Sequence, residues 1–215
     1  MTTPRLGDFT LRRASASDRA ACYSVCLGTG DSGRDATHLH TDSEALGNVY
    51  VGAYLAFEPE LSLVLQDKSG VCGYALAAGD TKTFHRRYVE EWLPPLRASR
   101  PAPSGPPAAW SRDEQLWNLY HHPELFTPEP YEAYPSHLHI DLLPRAQGRG
   151  FGRALMSELL GLLAARGSPG VHLAMAADNH RAAAFYAKLG FTEIARLTDT
   201  LFLARTLAPA SSRRW

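Results

Sequence analysis

The side chains most able to do chemistry cluster between Ser136 and Arg153, in the run S-H-L-H-I-D-L-L-P-R-A-Q-G-R-G-F-G-R. Its glycines, Gly148, Gly150 and Gly152, alternate with Arg149 and Phe151, and Gln147 and Arg153 flank them. Where a loop enters a helix the first N–H groups are free donors, and the helix dipole and two arginines add positive charge. Missing side chains let a bulky group approach those donors, so the expected ligand is an anion such as a pyrophosphate. The same spacing also serves a tight turn or a helix–sheet packing contact, and both readings stand. Upstream, Asp141 lies between Ile140 and Leu142, with His137 and His139 at alternate positions. A carboxylate in an apolar strand is costly to bury without a partner, so Asp141 needs a purpose.

Other reactive types are less organised. Cys22, Cys26 and Cys72 are too few and too irregular for a disulfide framework or a zinc site, and read as buried thiols. Cys22 and Cys26 share a helix face, with no third ligand near them in sequence. Adjacent His121 and His122 point in different directions on a helix, which argues against a metal pair.

The elements that must position these groups follow from periodicity. Leu138, Ile140 and Leu142 alternate as a strand ending near Pro144, and Ala154 to Arg166 forms an amphipathic helix through Leu155, Leu159, Leu162 and Leu163. Val171 to Met175 is the next strand, which makes a right-handed parallel crossover. Asn179 to Lys188 is a further helix, followed by strands Phe191 to Leu197 and Leu201 to Arg205. Earlier, Phe9 to Arg13 reads as a strand, and Ser17-Asp18 offers N-cap chemistry to a helix from Arg19 to Leu27. Gly28 to Asp35 reads as a mobile polar loop that covers a binding site. Ala45 to Phe57 is a weak helix and turn, and Leu61–Gln66 and Val71–Ala78 form a hairpin across Asp67–Gly70. Thr81 to Trp92 is a helix with the aromatic stripe Phe84, Tyr88 and Trp92, ended by Pro94-Pro95. Ala98 to Ala109 reads as an exposed Pro-rich run, and Ser111 to Glu114 caps a short helix through Tyr120.

At 215 residues, with 45% hydrophobic and 20% charged, the chain suits one domain spanning 1–215, with a Pro-rich insertion at about 94–135. Lys+Arg and Asp+Glu are both 22, so no broad positive field is available for nucleic acid. Met1 to Asp8 lacks a leader's apolar core, and no apolar run is long enough to span a bilayer, which leads to a cytoplasmic expectation with no membrane partner.

Gln147 to Gly152, followed by N-H-R-A-A-A-F-Y-A-K-L-G-F from Asn179 to Phe191, is similar to the two signature motifs of the GCN5-related N-acetyltransferase (GNAT) superfamily. The strand Val71 to Leu76, the Trp92-Leu93-Pro94 segment and Phe185 to Gly190 resemble the acetyltransferase-like C-terminal region of O-GlcNAcases and its free-standing bacterial relatives. The resemblance implies an α/β (α+β) GNAT fold: a mixed, largely antiparallel sheet, splayed between two parallel strands and flanked by helices. It implies acetyl-CoA as co-substrate, with no metal, and a primary amine on a small molecule as acceptor, attacked directly in a ternary complex.

By the same resemblance, the backbone from Gln147 through Gly148, Arg149, Gly150, Phe151, Gly152 and Arg153 takes the pyrophosphate. Leu142 and Leu143 hold the pantetheine arm, Asn179 lies near it, and Tyr186 protonates the departing thiolate. A phenol has a reference pKa of about 10, so it is protonated at neutral pH. Asp141 is the leading general base, with His139 or a water as the alternative; Ser136 falls where several family members carry their base, and serine alone cannot serve. Asp141 has a structural reading too, as a hydrogen-bond acceptor or counter-charge. A bulge near Asp141 would turn it from the face of His137 and His139. A catalytically inactive acetyl-CoA-binding or protein-interaction module is the alternative function. A histone or protein acetyltransferase, using the acidic tract Asp31, Asp35, Asp42 and Glu44, is a weaker one.

Overall fold

A computed structural model describes residues 5–208. The leaderless reading of Met1 to Asp8 falls partly on residues 1–4, and the single-domain reading also takes in 209–215, both outside the described residues. Among the described residues, no helix is long and apolar enough to cross a membrane.

The chain runs β1 (Arg5–Leu6), β2 (Phe9–Arg13), α1 (Arg19–Leu27), α2 (Ala45–Tyr50), α3 (Gly52–Phe57), β3 (Ser62–Asp67), β4 (Gly70–Ala78) and α4 (Thr81–Arg87). It continues through α5 (Leu93–Ser99), α6 (Arg112–His121), β5 (Ser136–Leu142), α7 (Phe151–Ala165), β6 (Gly170–Ala176), α8 (His180–Lys188), β7 (Thr192–Arg196) and β8 (Thr200–Thr206). The strands form one sheet in the order β1-β2-β3-β4-β5-β6-β8-β7, antiparallel throughout except for β5 with β6. That parallel pairing covers only Ser136↔Val171 and His137↔His172. Beyond it the two strands separate, as the resemblance implied.

Strand alternation decides which face each side chain serves. Leu138, Cys72, Ala75 and Ala77 turn toward α7, where Leu155, Met156, Leu159 and Leu163 are fully buried. Each such leucine contributes about 1.5–3 kcal/mol by leaving water, which ties the glycine loop's helix to the sheet. On the other face Val64, Tyr74 and Leu76 pack against α1 and α2. Ala78 meets Phe84, Tyr88 and Leu93 farther along the same face.

Several expectations are corrected by tertiary contacts. Asp18 precedes α1, but its side chain makes no cap there; it takes two hydrogen bonds from Arg12, both 2.7 Å, and one from Ser15 N–H at 2.7 Å. The Ala45–Phe57 segment is two helices broken at Val51. Its glycines admit Tyr23, because a Cβ on Gly47 would lie 2.3 Å from the Tyr23 ring and one on Gly52 2.2 Å from its hydroxyl.

Pro94-Pro95 does not end the helix. A π-helical turn at Tyr88–Trp92 resets the hydrogen bonding, so the prolines enter the first turn of α5, where no N–H partner is needed. The aromatic stripe survives, with Phe84 and Tyr88 buried and the Trp92 indole donating to the Asn48 carbonyl at 2.8 Å.

Gly28–Asp35 folds as a hydrogen-bonded turn. The buried Thr29 hydroxyl donates to the Val25 carbonyl at 2.8 Å, and Asp31 bridges Arg34. The 94–135 insertion is exposed only in part. Within it, α6 starts at the expected Ser111–Glu114 capping box and buries Leu116 and Tyr120. Its buried Asp113 accepts from the Thr41 and Asp42 N–H groups at 2.8 and 2.9 Å, from the Thr41 hydroxyl at 2.6 Å, and lies 2.7 Å from His40 Nδ1.

Candidate active site

The glycine loop leaves β5 through Leu143, makes a short 3-10 turn at Pro144–Ala146, and reaches α7 with Gly150 as its N-cap. Gly148 and Gly150 have φ of +70° and +83°, and an added Cβ at either would meet nothing within 4 Å. Their role is therefore conformational: the left-handed backbone aims the start of a 15-residue helix, whose N-cap carries no side-chain hydrogen bond. Gly152 does something different. A Cβ there would lie 3.2 Å from both Leu142 and Phe185, so this glycine is the packing contact. The turn and packing readings thus divide among the three glycines.

The Arg149 guanidinium sits over the rings of Phe9 and Phe151, at 4.6 and 5.1 Å from their centroids, which fixes a positive charge beside the loop. Gln147 braces the loop by donating to the Leu142 carbonyl at 2.6 Å and accepting from Arg181. Arg153 is exposed on the first turn of α7.

The strand edge facing the gap can be assigned from one bond. The Leu143 N–H donates to the Cys72 carbonyl at 2.8 Å, toward β4. Successive residues of a strand point their backbone groups to opposite sides, so the Leu142 N–H turns toward β6 and the open gap. Of the two leucines expected to offer backbone bonds there, Leu142 has the geometry and the Leu143 N–H does not.

Asp141 keeps the face of His137 and His139. The β4–β5 register runs unbroken from Gly73↔Leu142 to Ala78↔His137. The irregularity lies one strand away, where Leu65 pairs with Gly73 and Gln66 with Val71, leaving Cys72 as the extra residue. Opposite Asp141 stands Tyr74, whose hydroxyl donates to Asp141 Oδ2 at 2.5 Å. His139 Nε2 lies 3.1 Å from both that hydroxyl and Asp141 Oδ2. The Tyr50 ring stacks on His139 with centroids 6.0 Å apart. From α1, Cys26 brings its Sγ into the same cluster, all three ligand-type atoms of Cys26, His139 and Asp141 lying within 4.8 Å of one another.

Charge in this cluster is set by Asp141. Burial pushes His139 toward the neutral form, but the neighbouring carboxylate outweighs burial and lifts its pKa to about 10. His139 is then an imidazolium facing a carboxylate at neutral pH. Burial and the same carboxylate drive the Tyr74 hydroxyl well above the ordinary phenol value, so it is a permanent donor.

Tyr186, on α8, is buried between Phe185 and Phe191, with ring centroids 5.3 and 5.6 Å away. Burial raises its pKa far above 10, and Asp141 adds in the same direction from across the gap. Asn179 caps α8, its side chain accepting from the Ala182 N–H at 3.0 Å. A surface cavity of about 360 Å³ separates Ser32 and Arg34 of the hydrogen-bonded turn from Asp178–Arg181. Ser136 is fully buried and donates to the Gly79 carbonyl at 2.7 Å, which ties it to the sheet. His121 Nε2 lies 2.9 Å from the Arg100 carbonyl, a local backbone contact.

Tyr74, Tyr50 and Cys26 were not picked out from sequence. Tyr74 had a weak signal, a phenol in the middle of an apolar strand of a legible hairpin. Cys26 had none, since only the packing of α1 on the sheet brings it near Asp141.

Comparison with known proteins fits this arrangement. Residues 108–191 match the model of the Acetyltransferase (GNAT) family, spanning β5, the glycine loop and α8. The crystal structure of SsHAT is 41% identical, covers 94% of this chain and 100% of its own, and superposes with a TM-score of 0.87. The chain belongs to the GNAT acetyltransferase family. Among GNAT structures, YncA from Salmonella typhimurium with its cofactor acetyl-CoA shares the fold, at 17% identity and a TM-score of 0.55 over 97% of this chain and 99% of that one. Protein O-GlcNAcase of Rattus norvegicus is 29% identical over 210 residues, or 95% of this chain. The chain spans only 23% of that relative's length.

Proposed function

We propose that this GNAT protein transfers the acetyl group of acetyl-CoA to a primary amine on a small molecule, by direct attack in a ternary complex. The observation that carries the reading is the gap between β5 and β6. It has the glycine-led start of α7 at one end, and on the adjoining sheet face stand Asp141 and His139 of β5, with the buried Tyr74 of β4 bonded to both. The N–H groups from Gln147 to Arg153 hold the pyrophosphate, the Leu142 N–H pairs with a pantetheine amide, and Asn179 sits beside that arm.

The incoming ammonium meets Asp141, which accepts its proton directly or through one water. His139 in the charged form cannot accept a proton, so it and Tyr74 serve to hold the Asp141 carboxyl in place. The amine nitrogen then bonds to the thioester carbonyl carbon, the C–S bond breaks, the sulfur leaves with the electron pair, and the second proton of the nitrogen passes to that sulfur. Tyr186 supplies its O–H to that sulfur. A phenol raised so far above a thiol's reference pKa of about 8.5 stabilises the thiolate chiefly as a hydrogen-bond donor.

Two observations favour a small acceptor over a basic tail. The chain has no net charge, and three of the four acids in the acidic tract have partners within the chain. Asp42 pairs with Arg100 and takes the Trp117 indole N–H at 3.1 Å, Asp31 pairs with Arg34, and Asp35 accepts from the Thr37 N–H. The competing reading, a non-catalytic acetyl-CoA-binding or interaction module, draws on the same cluster, because Tyr74 and His139 already occupy the Asp141 Oδ2 that an acceptor ammonium would meet. Calorimetry with acetyl-CoA and thiol release across an amine library decide between them. Turnover abolished in Asp141→Asn supports transfer; binding without turnover of any amine supports the module; no binding of acetyl-CoA ends both.

A further inference from the structure

The cluster that faces the gap has a property that acetyl transfer does not use. Sulfur, imidazole nitrogen and carboxylate oxygen, from Cys26, His139 and Asp141, come within 4.8 Å of one another. We propose that these three side chains form a binding site for a thiophilic divalent cation, with zinc as the ion the donor set fits, and that the bound ion closes the acceptor side of the gap.

Ligands held about 2.0–2.3 Å from a tetrahedral zinc ion stand roughly 3.3–3.8 Å apart, so small rotamer adjustments bring the three donors onto one centre. The donor set itself selects the ion. Calcium and magnesium take oxygen ligands, whereas one thiolate, one imidazole and one carboxylate suit a borderline-soft metal, which binds as the Cys26 thiol and the His139 imidazolium release their protons to solvent. The supports differ in a useful way. His139 and Asp141 sit two residues apart on one strand face, and Cys26 reaches them from the last turn of α1. The neighbouring Tyr74 hydroxyl, which bonds Asp141 Oδ2, orients that carboxylate as an outer partner.

Access is one-sided. Cys26 is buried at 3% exposure, while the His139 and Asp141 side chains are 31% and 22% exposed. Three protein ligands with an open side describe a site that an ion can enter, with a fourth position left for water or the acceptor. An ion there occupies the Asp141 oxygen that the acceptor amine would need. Binding of zinc stands on the three side chains alone; the consequence for turnover rests on the acetyl-transfer reading above.

The test uses the whole chain, stripped with a chelator and titrated calorimetrically with zinc chloride, and then with cobalt(II) followed by visible absorption. One zinc per chain and the intense visible bands of tetrahedral cobalt with a thiolate ligand are expected. Cys26→Ser and Asp141→Asn should each weaken zinc at least tenfold, with circular dichroism reporting the fold. Cys72→Ser, whose thiol contacts the Leu65 carbonyl on the other face of the sheet, should bind zinc like the parent. Absence of stoichiometric zinc binding by the parent chain, or equal affinity in Cys26→Ser, overturns the site. Thiol release measured with chelator and with zinc separates the two readings. Turnover that zinc does not slow overturns the blocking role, whereas zinc binding in a chain with no turnover upholds the site and counts against acetyl transfer.

Discussion

His137 and His139 stand two residues apart on one face of β5, and their surroundings drive them in opposite directions. His137 sits among rings: Phe84 and Tyr54 edge-on at 5.0 and 5.4 Å, His85 at 5.5 Å and His172 at 5.7 Å, with Thr81 bonded to its Nδ1 at 2.9 Å. Burial there, reinforced by the neighbouring imidazoles, forces its pKa well below the usual histidine value. His139 is driven up against the pull of burial, chiefly by the facing Asp141 carboxylate and further by Cys26. The same residue type on the same face becomes packing material in one place and a charged partner in the other. The division falls where β6 parts from β5, after His137↔His172. One half of the strand holds the sheet together and the other half lines the gap.

The sharpest way to break this contrast is Asp141→Asn. It should cut the rate of acetyl transfer by roughly 10²–10⁴-fold, as loss of a proton acceptor does, while acetyl-CoA affinity by calorimetry changes little. In the same variant the His139 ring should titrate well below 10 by NMR; an unmoved value would mean that some other group charges it.

The buried half answers to acid instead. In the unfolded chain His85, His137 and His172 take up protons below about pH 6.5, whereas the folded chain resists, His85 down to about 4. The unfolded state therefore binds more protons in that window, and stability falls as pH drops from about 6.5 toward 4. Thermal scans should show a melting temperature lowered by several degrees across this range. A flat profile would remove the neutral cluster from the account.

Tyr186→Phe probes the far wall of the gap. Losing one donor to a developing thiolate is worth about 1–3 kcal/mol, so kcat should fall on the order of tenfold with the acetyl-CoA KM preserved. An unchanged kcat would return Tyr186 to simple packing beside Phe185 and Phe191.

The smallest expected effect sharpens the comparison from its structural side. Thr81 is fully buried, donating to the Pro135 carbonyl at 2.7 Å and touching His137. Thr81→Val should reduce stability by about 1 kcal/mol in urea titration and leave turnover untouched. A rate loss there would show that the two halves of β5 are coupled.

Much of this was legible in the chain because the controlling patterns are local. Alternation in β5, the leucine face of α7, the hairpin at Asp67–Gly70 and the glycine run each follow from residues close in sequence. What escaped depends on register and packing between distant segments. Arg12 stands close to Asp18 in sequence, yet only the fold of the intervening turn brings it onto the carboxylate, and nothing near Pro94 shows that a π-helical turn will deliver it to a helix start. In the site, Asp141 was visible as a polar residue out of place, whereas Tyr74 and Cys26 acquire meaning only when β4 and α1 are laid against β5.

The short parallel pairing also makes the molecule carry two facing sheet edges inside itself. Exposed strand edges ordinarily invite pairing with other chains. Here both edges look into one cleft, where a ligand with amide groups can act as the missing strand. In the proposed binding mode such a ligand would join the β1–β5 and β6–β8 halves into a continuous ladder, and the folded population would be coupled to its concentration. At a hundred times its Kd it would add about 2.7 kcal/mol to the stability of the whole sheet.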